Sequence, residues 1–265
     1  MLAAAAVCPH PPLLVPEIAA GAAAEAEPLR RACLAAVRAV LDASADELVV
    51  VGTGPNPGSA RPGAWGTFAG FGVPVTVALC PDGQSPDGDP ELPLSISVGV
   101  WLLRRAGYTG RIRARALTER ATPAEATALG ERLAAYPVRT ALLVMGDGSA
   151  RRGEQSPGYT DPRGIAFDDA VAEALRAGDP WALRGLDPEL ARDLWAAGRA
   201  PWQVLAGAAG TGPVKADLLY YEAPYGVGYF AATWLPEQVT GLPEQVTGLP
   251  ERVTGLPERV IGLPE

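Results

Sequence analysis

Continuous apolar runs alternate along the chain with segments whose apolar residues recur at helical spacing. The runs 2–8 ("LAAAAVC") and 139–146 ("RTALLVMG") have the length and composition of buried strands. In 28–43 a single apolar stripe predicts a helix, and Pro28 suits its first turn. The whole pattern predicts strands at 2–8, 47–52, 73–80, 111–117, 139–146, 214–222 and 226–234, and helices at 28–43, 92–108, 123–135, 165–177, 187–198 and 201–209.

Alternation of strands and helices on this scale predicts an α/β domain. We expect a three-layer sandwich around a central mixed, mostly parallel sheet. The last two strands follow one another without a helix between them, which indicates that part of the sheet is antiparallel. The helix at 123–135 has clear start signals, because Thr122 can cap it and Pro123 fits its first position. The domain is expected to span 1–234.

A seven-residue repeat, "LPEQVTG" and its variants, occupies 235–265. A coiled coil is excluded, because each repeat contains a proline that costs about 3 kcal/mol inside a helix and a glycine that costs about 1 more. One stripe of Leu and Val also provides too little apolar surface for a folded core. We expect a flexible, disordered tail without a catalytic role. A docking segment and a short repetitive structure are the alternatives.

Charge and cysteine content narrow the class of protein. The formal net charge of -8 argues against nucleic-acid binding, which requires a basic face. Cys8, Cys33 and Cys80 have no paired spacing and are expected to be reduced thiols of a cytoplasmic protein. No apolar stretch approaches the length of a membrane span, and no basic residue precedes the apolar N-terminus as in a signal peptide. The cationic residues are almost all arginine, which is typical of a GC-rich bacterial genome.

The candidate chemistry lies where strands end, because ligands of open α/β sheets bind at the carboxyl ends of strands. His10, the only histidine, follows the first strand in "VCPHPPLLVPE". Glu222 ends the strand 214–222, and Asn56, Asp147 and Ser149 follow two other strands. His10 and Glu222 could together hold a cation, with further oxygen ligands from the other three. An imidazole with carboxylates suits iron(II), manganese or zinc.

Each candidate also has a purely structural interpretation. His10 could close a turn between prolines, Asp147 could cap the turn after its strand, and Glu222 could be a surface residue. The stretches "GTGP" and "GDGS" match neither GxxxxGK[ST] nor GxGxxG, so a nucleotide site is not indicated. No Ser–His–Asp arrangement is recognisable, because G-x-S-x-G is absent.

Several segments in their order resemble a known family. They are "CPHPPLLVPE", "VVVGTGP", "LLVMGDGSARR", "FDDAVAEALRAGD" and "YYEAPYGVGYFAATW". Together they resemble the catalytic chains of the class III extradiol ring-cleavage dioxygenases, the LigB-like superfamily, in an actinobacterial branch. The resemblance covers about 1–234 and excludes the repeat.

The resemblance implies an iron(II) site that opens catecholic rings with dioxygen. His10 matches the first iron ligand, and Glu222 corresponds to the carboxylate ligand. The second ligand histidine is missing, which leaves Asn56, and the Ser-His pair that supplies the acid/base imidazole here reads Ser149-Ala150. Two hypotheses follow: an enzyme with an altered site acting on a small aromatic or phenolic substrate, with Asp147 and Ser149 as catalytic candidates, or a non-catalytic binding or scaffold protein. The family also implies a homo-oligomer or a small partner subunit.

Overall fold

The computed structural model describes residues 1–80 and 88–237 of the chain. Their strands are Leu2–Cys8 (β1), Glu47–Thr53 (β2), Gly58–Ser59 (β3), Trp65–Thr67 (β4), Thr76–Ala78 (β5), Arg113–Leu117 (β6), Thr140–Met145 (β7), Val214–Glu222 (β8) and Tyr229–Pro236 (β9). Their α-helices are Pro16–Ala19 (α1), Glu27–Asp42 (α2), Leu94–Arg105 (α3), Pro123–Ala135 (α4), Arg163–Ala177 (α5), Pro180–Arg184 (α6), Pro188–Asp193 (α7) and Arg199–Ala209 (α8). Short 3-10 helices occur at Pro12–Leu14, Ala20–Ala23 and Ala69–Phe71.

Seven strands form the central sheet in the order β3-β6-β2-β7-β1-β9-β8. β6, β2, β7 and β1 pair in parallel, while β3, β9 and β8 join the sheet antiparallel to their neighbours. The predicted mixed, mostly parallel α/β sheet is therefore confirmed. The carboxyl ends of β1, β2, β6, β7 and β8 all lie at one edge of this sheet, because β8 is antiparallel to β9 and β9 to β1.

Two apolar cores cover the two faces of the sheet. One contains β1 residues such as Ala4 and Ala6 packed with α2 and α3, and the other contains Ala5 and Val7 packed with α5 and α8. Strands buried on both faces must be apolar at every position, which is why β1 and β7 appear as unbroken runs rather than alternating ones. We call these the α2/α3 face and the α5/α8 face.

Local start signals explain where several helices begin. Thr122 caps α4 as predicted: its hydroxyl accepts the Glu125 N–H at 3.2 Å, and the Glu125 carboxylate accepts the Thr122 N–H at 2.8 Å. Helix α6 was not predicted, although Asp179 followed by Pro180 is a cap and first-position signal, and the Asp179 carboxylate accepts the Trp181 N–H at 2.9 Å.

Two predicted elements differ from the structure. The segment 73–80 contributes only Thr76–Ala78, which pairs with β4 in a separate two-stranded sheet rather than joining the central one. The helix predicted over 187–198 ends at Asp193, because Trp195 has a φ of 56°, a left-handed conformation that ends a helix.

The last described strand continues past Trp234, where the sequence predicts the end of the domain. Strand β9 runs to Pro236, and Leu235 packs partly against the core of the α2/α3 face. The repeat tail predicted for 235–265 lies outside the described residues from 238 onward. Within 1–80 and 88–237, none of the helices combines the length and the apolar composition that crossing a bilayer requires.

Candidate functional site

Residue His10 owes its position to a central strand and the rigid turn that follows it. Strand β1 lies between β7 and β9, and the chain leaves it through "PHPP" into the 3-10 helix Pro12–Leu14. Prolines fix φ and remove backbone donors, so the strand cannot continue. The buried Arg30 of α2 holds this turn, since its Nε donates to the Leu14 carbonyl at 2.8 Å. His10 is thereby held at the carboxyl edge of the sheet.

The partner of His10 is Asp147, which follows the neighbouring strand β7. The backbone N–H of His10 donates to Asp147 Oδ1 at 2.7 Å, and His10 Nδ1 lies 3.4 Å from the same oxygen. The His10 Nδ1 atom is buried and makes no hydrogen bond among the described residues. Burial raises the pKa of the Asp147 carboxyl, and the charge and N–H of His10 act in the opposite direction. The pair is a carboxylate and an imidazole held together by the backbone.

Close packing explains the glycine before Asp147. The Gly146 N–H donates to the Cys8 carbonyl at 2.9 Å, which extends the β1–β7 pairing beyond the strand ends. A Cβ at Gly146 would lie 2.4 Å from the Cα of Gly198, and the Gly198 N–H donates to the Asp147 carbonyl at 2.8 Å. The first glycine of "GDGS" is therefore required for close packing, because this segment lies between the backbones of Cys8 and Gly198.

His10 opens onto a cleft of about 560 Å³. The cleft is formed by the ends of β1, β2 and β6 and the start of α3, and its lining residues are His10, Thr53, Gly54, Pro55, Pro93, Leu94, Ser95, Thr118, Glu119 and Arg120. A cavity of this size suits a small organic molecule. Its wall is supported by the buried Arg199, whose guanidinium donates to the carbonyls of Glu119 and Ala121, each at 2.5 Å.

The glycines of "VGTGP" allow α3 to approach the sheet at this cleft. A Cβ at Gly52 would lie 2.4 Å from the Ser95 hydroxyl, and one at Gly54 would lie 2.8 Å from Pro93. The Ser95 hydroxyl donates to the Thr53 carbonyl at 2.6 Å. These glycines serve close contact between β2 and α3.

Ser149 lies against α5 rather than against His10. Its backbone N–H donates to Asp168 Oδ1 at 2.8 Å, and its fully buried hydroxyl accepts the Arg151 N–H at 3.1 Å. The structure thus brings Asp147 to His10 and turns Ser149 toward the α5/α8 face.

The other two predicted site residues have different surroundings. Glu222 is exposed at the end of the edge strand β8, and its carboxylate accepts the Tyr220 hydroxyl at 3.1 Å. Asn56 is exposed on the loop after β2 and lines a separate cavity of about 620 Å³ that His10 does not line.

A site for iron(II), manganese or zinc requires more protein ligands than His10 and Asp147 together supply. A non-haem iron(II) centre of the facial type uses three protein ligands. The described part of the chain contains no group of three or more His, Cys, Asp and Glu side chains placed to hold a metal ion. The residues brought together are one imidazole and one carboxylate, so they do not fit the three-ligand set that the resemblance implies.

Sequence reasoning missed Asp168 and Arg199, both of which shape the site. Asp168 is fully buried on α5 and Arg199 is 2% exposed on α8. A signal for Asp168 was available, since it occupies the same buried stripe as Val171 and Leu175 in an otherwise amphipathic helix. Arg199 had a weaker signal: its side-chain partner Gln203 lies four residues later on α8, but its other two partners are the backbone carbonyls of Glu119 and Ala121, which leave no trace in the sequence.

Comparisons with known proteins give a distant likeness in fold. No protein-family model matches the chain. No match was found among curated proteins. Among solved structures the chain is similar to an uncharacterised protein of Escherichia coli K12, with a TM-score of 0.48 and 14% identity over 88% of this chain and 99% of that chain.

Proposed function

We propose that this chain is a dioxygenase-like protein that binds a small hydroxylated aromatic molecule at the carboxyl edge of its sheet, without a three-ligand iron centre. One observation carries the proposal. His10 lines a cleft of about 560 Å³, its Nδ1 lies 3.4 Å from the Asp147 carboxylate, and this buried Nδ1 has no hydrogen-bond partner among the described residues. Buried polar atoms in proteins are normally hydrogen-bonded, so an unpaired one beside a cleft favours a ligand.

The lining of the cleft favours a ring that carries hydroxyl groups. Pro55, Pro93 and Leu94 offer apolar surface to a ring, while His10, held beside the Asp147 carboxylate, offers an imidazole to a hydroxyl. Ligand sites commonly combine apolar walls with a few placed polar groups. A phenolic ligand would also agree with the family resemblance of the sequence.

The alternative function is ring opening by an altered enzyme. The extradiol reaction would need a metal held by His10, Glu222 and a further ligand such as Asn56. The Tyr220–Glu222 hydrogen bond and the position of Asn56 in another cavity favour binding over this alternative.

Calorimetric titration with catechol tests the proposal, with 1,2-dimethoxybenzene as the ligand control. We expect catechol to bind and the dimethoxy compound, which has no hydroxyl donor, to bind more weakly. His10→Ala and Asp147→Asn should each weaken catechol binding by about 10- to 100-fold, the usual effect of losing a hydrogen bond to a charged group. Asn56→Ala should bind as the wild type does. Absence of catechol binding, or equal binding by all variants, would contradict the proposal.

A second assay separates binding from catalysis. Iron(II) is loaded without oxygen, catechol is added, and air is admitted. We expect no yellow ring-opened product. Product formation that His10→Ala and Glu222→Ala both abolish would establish the enzyme instead.

The cysteines support a cytoplasmic location for this function. Cys8, Cys33 and Cys80 are all free thiols, and Cys8 and Cys33 are buried. Free thiols are typical of reducing compartments.

A further inference from the structure

A second cavity, of about 720 Å³, adjoins the His10 cleft. The two share Glu119 and Arg120 in their walls, but His10 does not line the second one. The rest of its wall comes from α7, the turn after α7 and the start of α8, and comprises Pro188, Ala191, Arg192, Trp195, Ala196 and Arg199. We call it the arginine cavity, because three arginines line it. A cavity of this size can hold a small organic molecule.

The wall of the arginine cavity carries an excess of positive charge. Arg120, Arg192 and Arg199 are accompanied by a single carboxylate, that of Glu119, so the formal charge of the lining is +2. The chain as a whole has a formal net charge of -8, so this concentration of cations runs against its composition. A concave surface with charge of one sign strengthens the field inside it and attracts ions of the opposite sign. The cavity therefore favours an anionic ligand.

The charge of Arg199 has no anionic partner in the part of the chain that the structure describes. The Arg199 side chain is buried, and its guanidinium donates only to neutral oxygens, which are the carbonyls of Glu119 and Ala121, each at 2.5 Å, and Gln203 Oε1 at 3.0 Å. Buried charges in proteins are normally paired with an opposite charge. An anion in the cavity would supply the compensating negative charge without displacing these hydrogen bonds.

The other two arginines are available to contact a ligand directly. Arg120 is exposed and makes no hydrogen bond or ion pair among the described residues. Arg192 lies 3.8 Å from Glu189, but both side chains are well exposed, so water screens this pair and it contributes little. A guanidinium can bind a carboxylate or phosphate group through two parallel hydrogen bonds. The anionic group of a ligand should therefore lie at Arg120 and Arg192.

Trp195 provides aromatic surface at the same cavity, where its side chain is 53% exposed. Its backbone φ of 56° lies in the left-handed region, which is strained for a residue with a Cβ and is found at ligand-binding sites. The Arg151 guanidinium lies 5.0 Å from the centre of the indole ring and adds a further positive charge beside the cavity. A strained backbone that holds an indole ring in the cavity wall favours a ligand with a flat ring.

We propose that the arginine cavity binds a small aromatic anion. The ring of the ligand packs against Trp195, and its carboxylate or phosphate group is bound by Arg120 and Arg192, with Arg199 as a fixed positive charge in the wall. The inference does not depend on the proposed function, because His10 does not line this cavity. It gives the chain a second binding site, next to the cleft of the first.

Calorimetric titration of the full chain with benzoate, phenyl phosphate and the neutral benzyl alcohol tests the proposal. At low ionic strength we expect the anions to bind about 10-fold more tightly than benzyl alcohol, the usual value of hydrogen bonds to a charged group. Arg192→Ala should weaken the binding of the anions by about 10-fold for the same reason. The anion that binds more tightly identifies the preferred group as carboxylate or phosphate.

Matched control variants separate a direct contact from a general effect of charge or exposed area. Arg176→Ala removes an exposed arginine that pairs with Glu173 three residues earlier, as Arg192 pairs with Glu189, and should leave the affinities unchanged. Trp195→Leu should weaken binding about 3- to 10-fold through loss of the aromatic contact. Trp181→Leu should not weaken it, although Trp181 is also exposed and has an arginine guanidinium 5.0 Å from the centre of its ring.

The outcomes distinguish this site from the His10 cleft. His10→Ala should bind benzoate and phenyl phosphate as the wild type does, and loss of their binding in this variant would place the anion in the His10 cleft and overturn the proposal. The proposal is also overturned if neither anion binds the wild type, or if Arg192→Ala and Arg176→Ala have equal affinities. Catechol binding is measured separately, so either proposal can fail while the other stands.

Discussion

Two carboxylates, Asp147 in the segment 146–152 and Asp168 beside it, lie on opposite faces of the sheet and differ in how they are enclosed. Asp168, on the α5/α8 face, is fully buried, accepts the Ser149 N–H and lies 3.5 Å from the Arg152 guanidinium. A Cβ at Gly148 or Gly228 would come within 2.5 Å or 2.1 Å of its oxygens. Asp147, on the α2/α3 face, has a backbone donor and an imidazole beside a cleft.

The difference indicates which carboxylate serves the fold and which is available to a ligand. Asp168 is surrounded by protein and fastens the segment to α5. Among the described residues neither Asp147 Oδ2 nor Asp168 Oδ2 accepts a hydrogen bond, but only Asp147 lies next to a histidine that lines a cavity. Burial alone therefore does not identify a site; unused hydrogen-bonding capacity beside a cavity does.

We expect the largest loss of stability from a substitution on the α5/α8 face, where the segment 146–152 is enclosed by protein. In Gly146→Ala the new Cβ would meet the Gly198 backbone at 2.4 Å, which neither chain segment can avoid without moving. We expect a loss of about 3 kcal/mol in the free energy of unfolding, measured by urea denaturation. Gly153→Ala is the matched control, because a Cβ there has no neighbour within 4 Å. Equal stability of the two variants would show that the enclosed side is loosely packed.

The pH dependence of stability should come mainly from Asp168. Burial raises its pKa to about 7, so between about pH 4 and 7 the folded state holds a proton that the unfolded state has lost. The free energy of unfolding must then fall as pH rises through this range. We expect Asp168→Asn to reduce the difference in stability between pH 5 and pH 8 by about 2 kcal/mol. An unchanged pH profile would contradict the assignment.

Asp147→Asn should change stability by less than about 1 kcal/mol, since asparagine keeps an acceptor for the His10 N–H and burial disfavours the charge. The same variant should nevertheless bind catechol more weakly than the wild type. Thermal unfolding and calorimetry on one preparation measure both quantities. A large loss of stability would place Asp147 with Asp168 as a residue of the fold.

We expect the smallest change in stability from a substitution of Arg120, which lines the cleft. It is exposed and has no hydrogen bond or ion pair among the described residues. Arg120→Ala should therefore leave the free energy of unfolding within about 0.5 kcal/mol of the wild type. If urea denaturation showed that the free energy of unfolding falls by more than about 1 kcal/mol, Arg120 would contribute to the stability of the fold.

Much of the fold could be predicted because its signals are local. The central strands β1 and β7 are unbroken apolar runs, and α4 begins at a capping box that Thr122 and Glu125 form within one turn. Two predictions were wrong, at positions where contacts with distant segments or the backbone conformation of one residue override a short local pattern. Thr76–Ala78 pairs with β4 instead of the main sheet, and the helix expected over 187–198 is shortened by a left-handed residue at Trp195.

The candidate site was only partly predictable. His10 and Asp147 are candidates because each follows a strand, and the parallel pairing of β1 with β7 brings them together. Ser149 is a candidate on the same grounds, yet it lies two residues beyond Asp147 on the segment fastened to α5.

By itself the sequence determined the alternation of strands and helices, the single imidazole and the absence of a second histidine, since these follow from residue identity and local spacing. Which carboxylate stands beside His10 was decided by the tertiary structure alone. Strand order and register act over separations of more than a hundred residues, and a shift by one residue would move each side chain to the opposite face of the sheet.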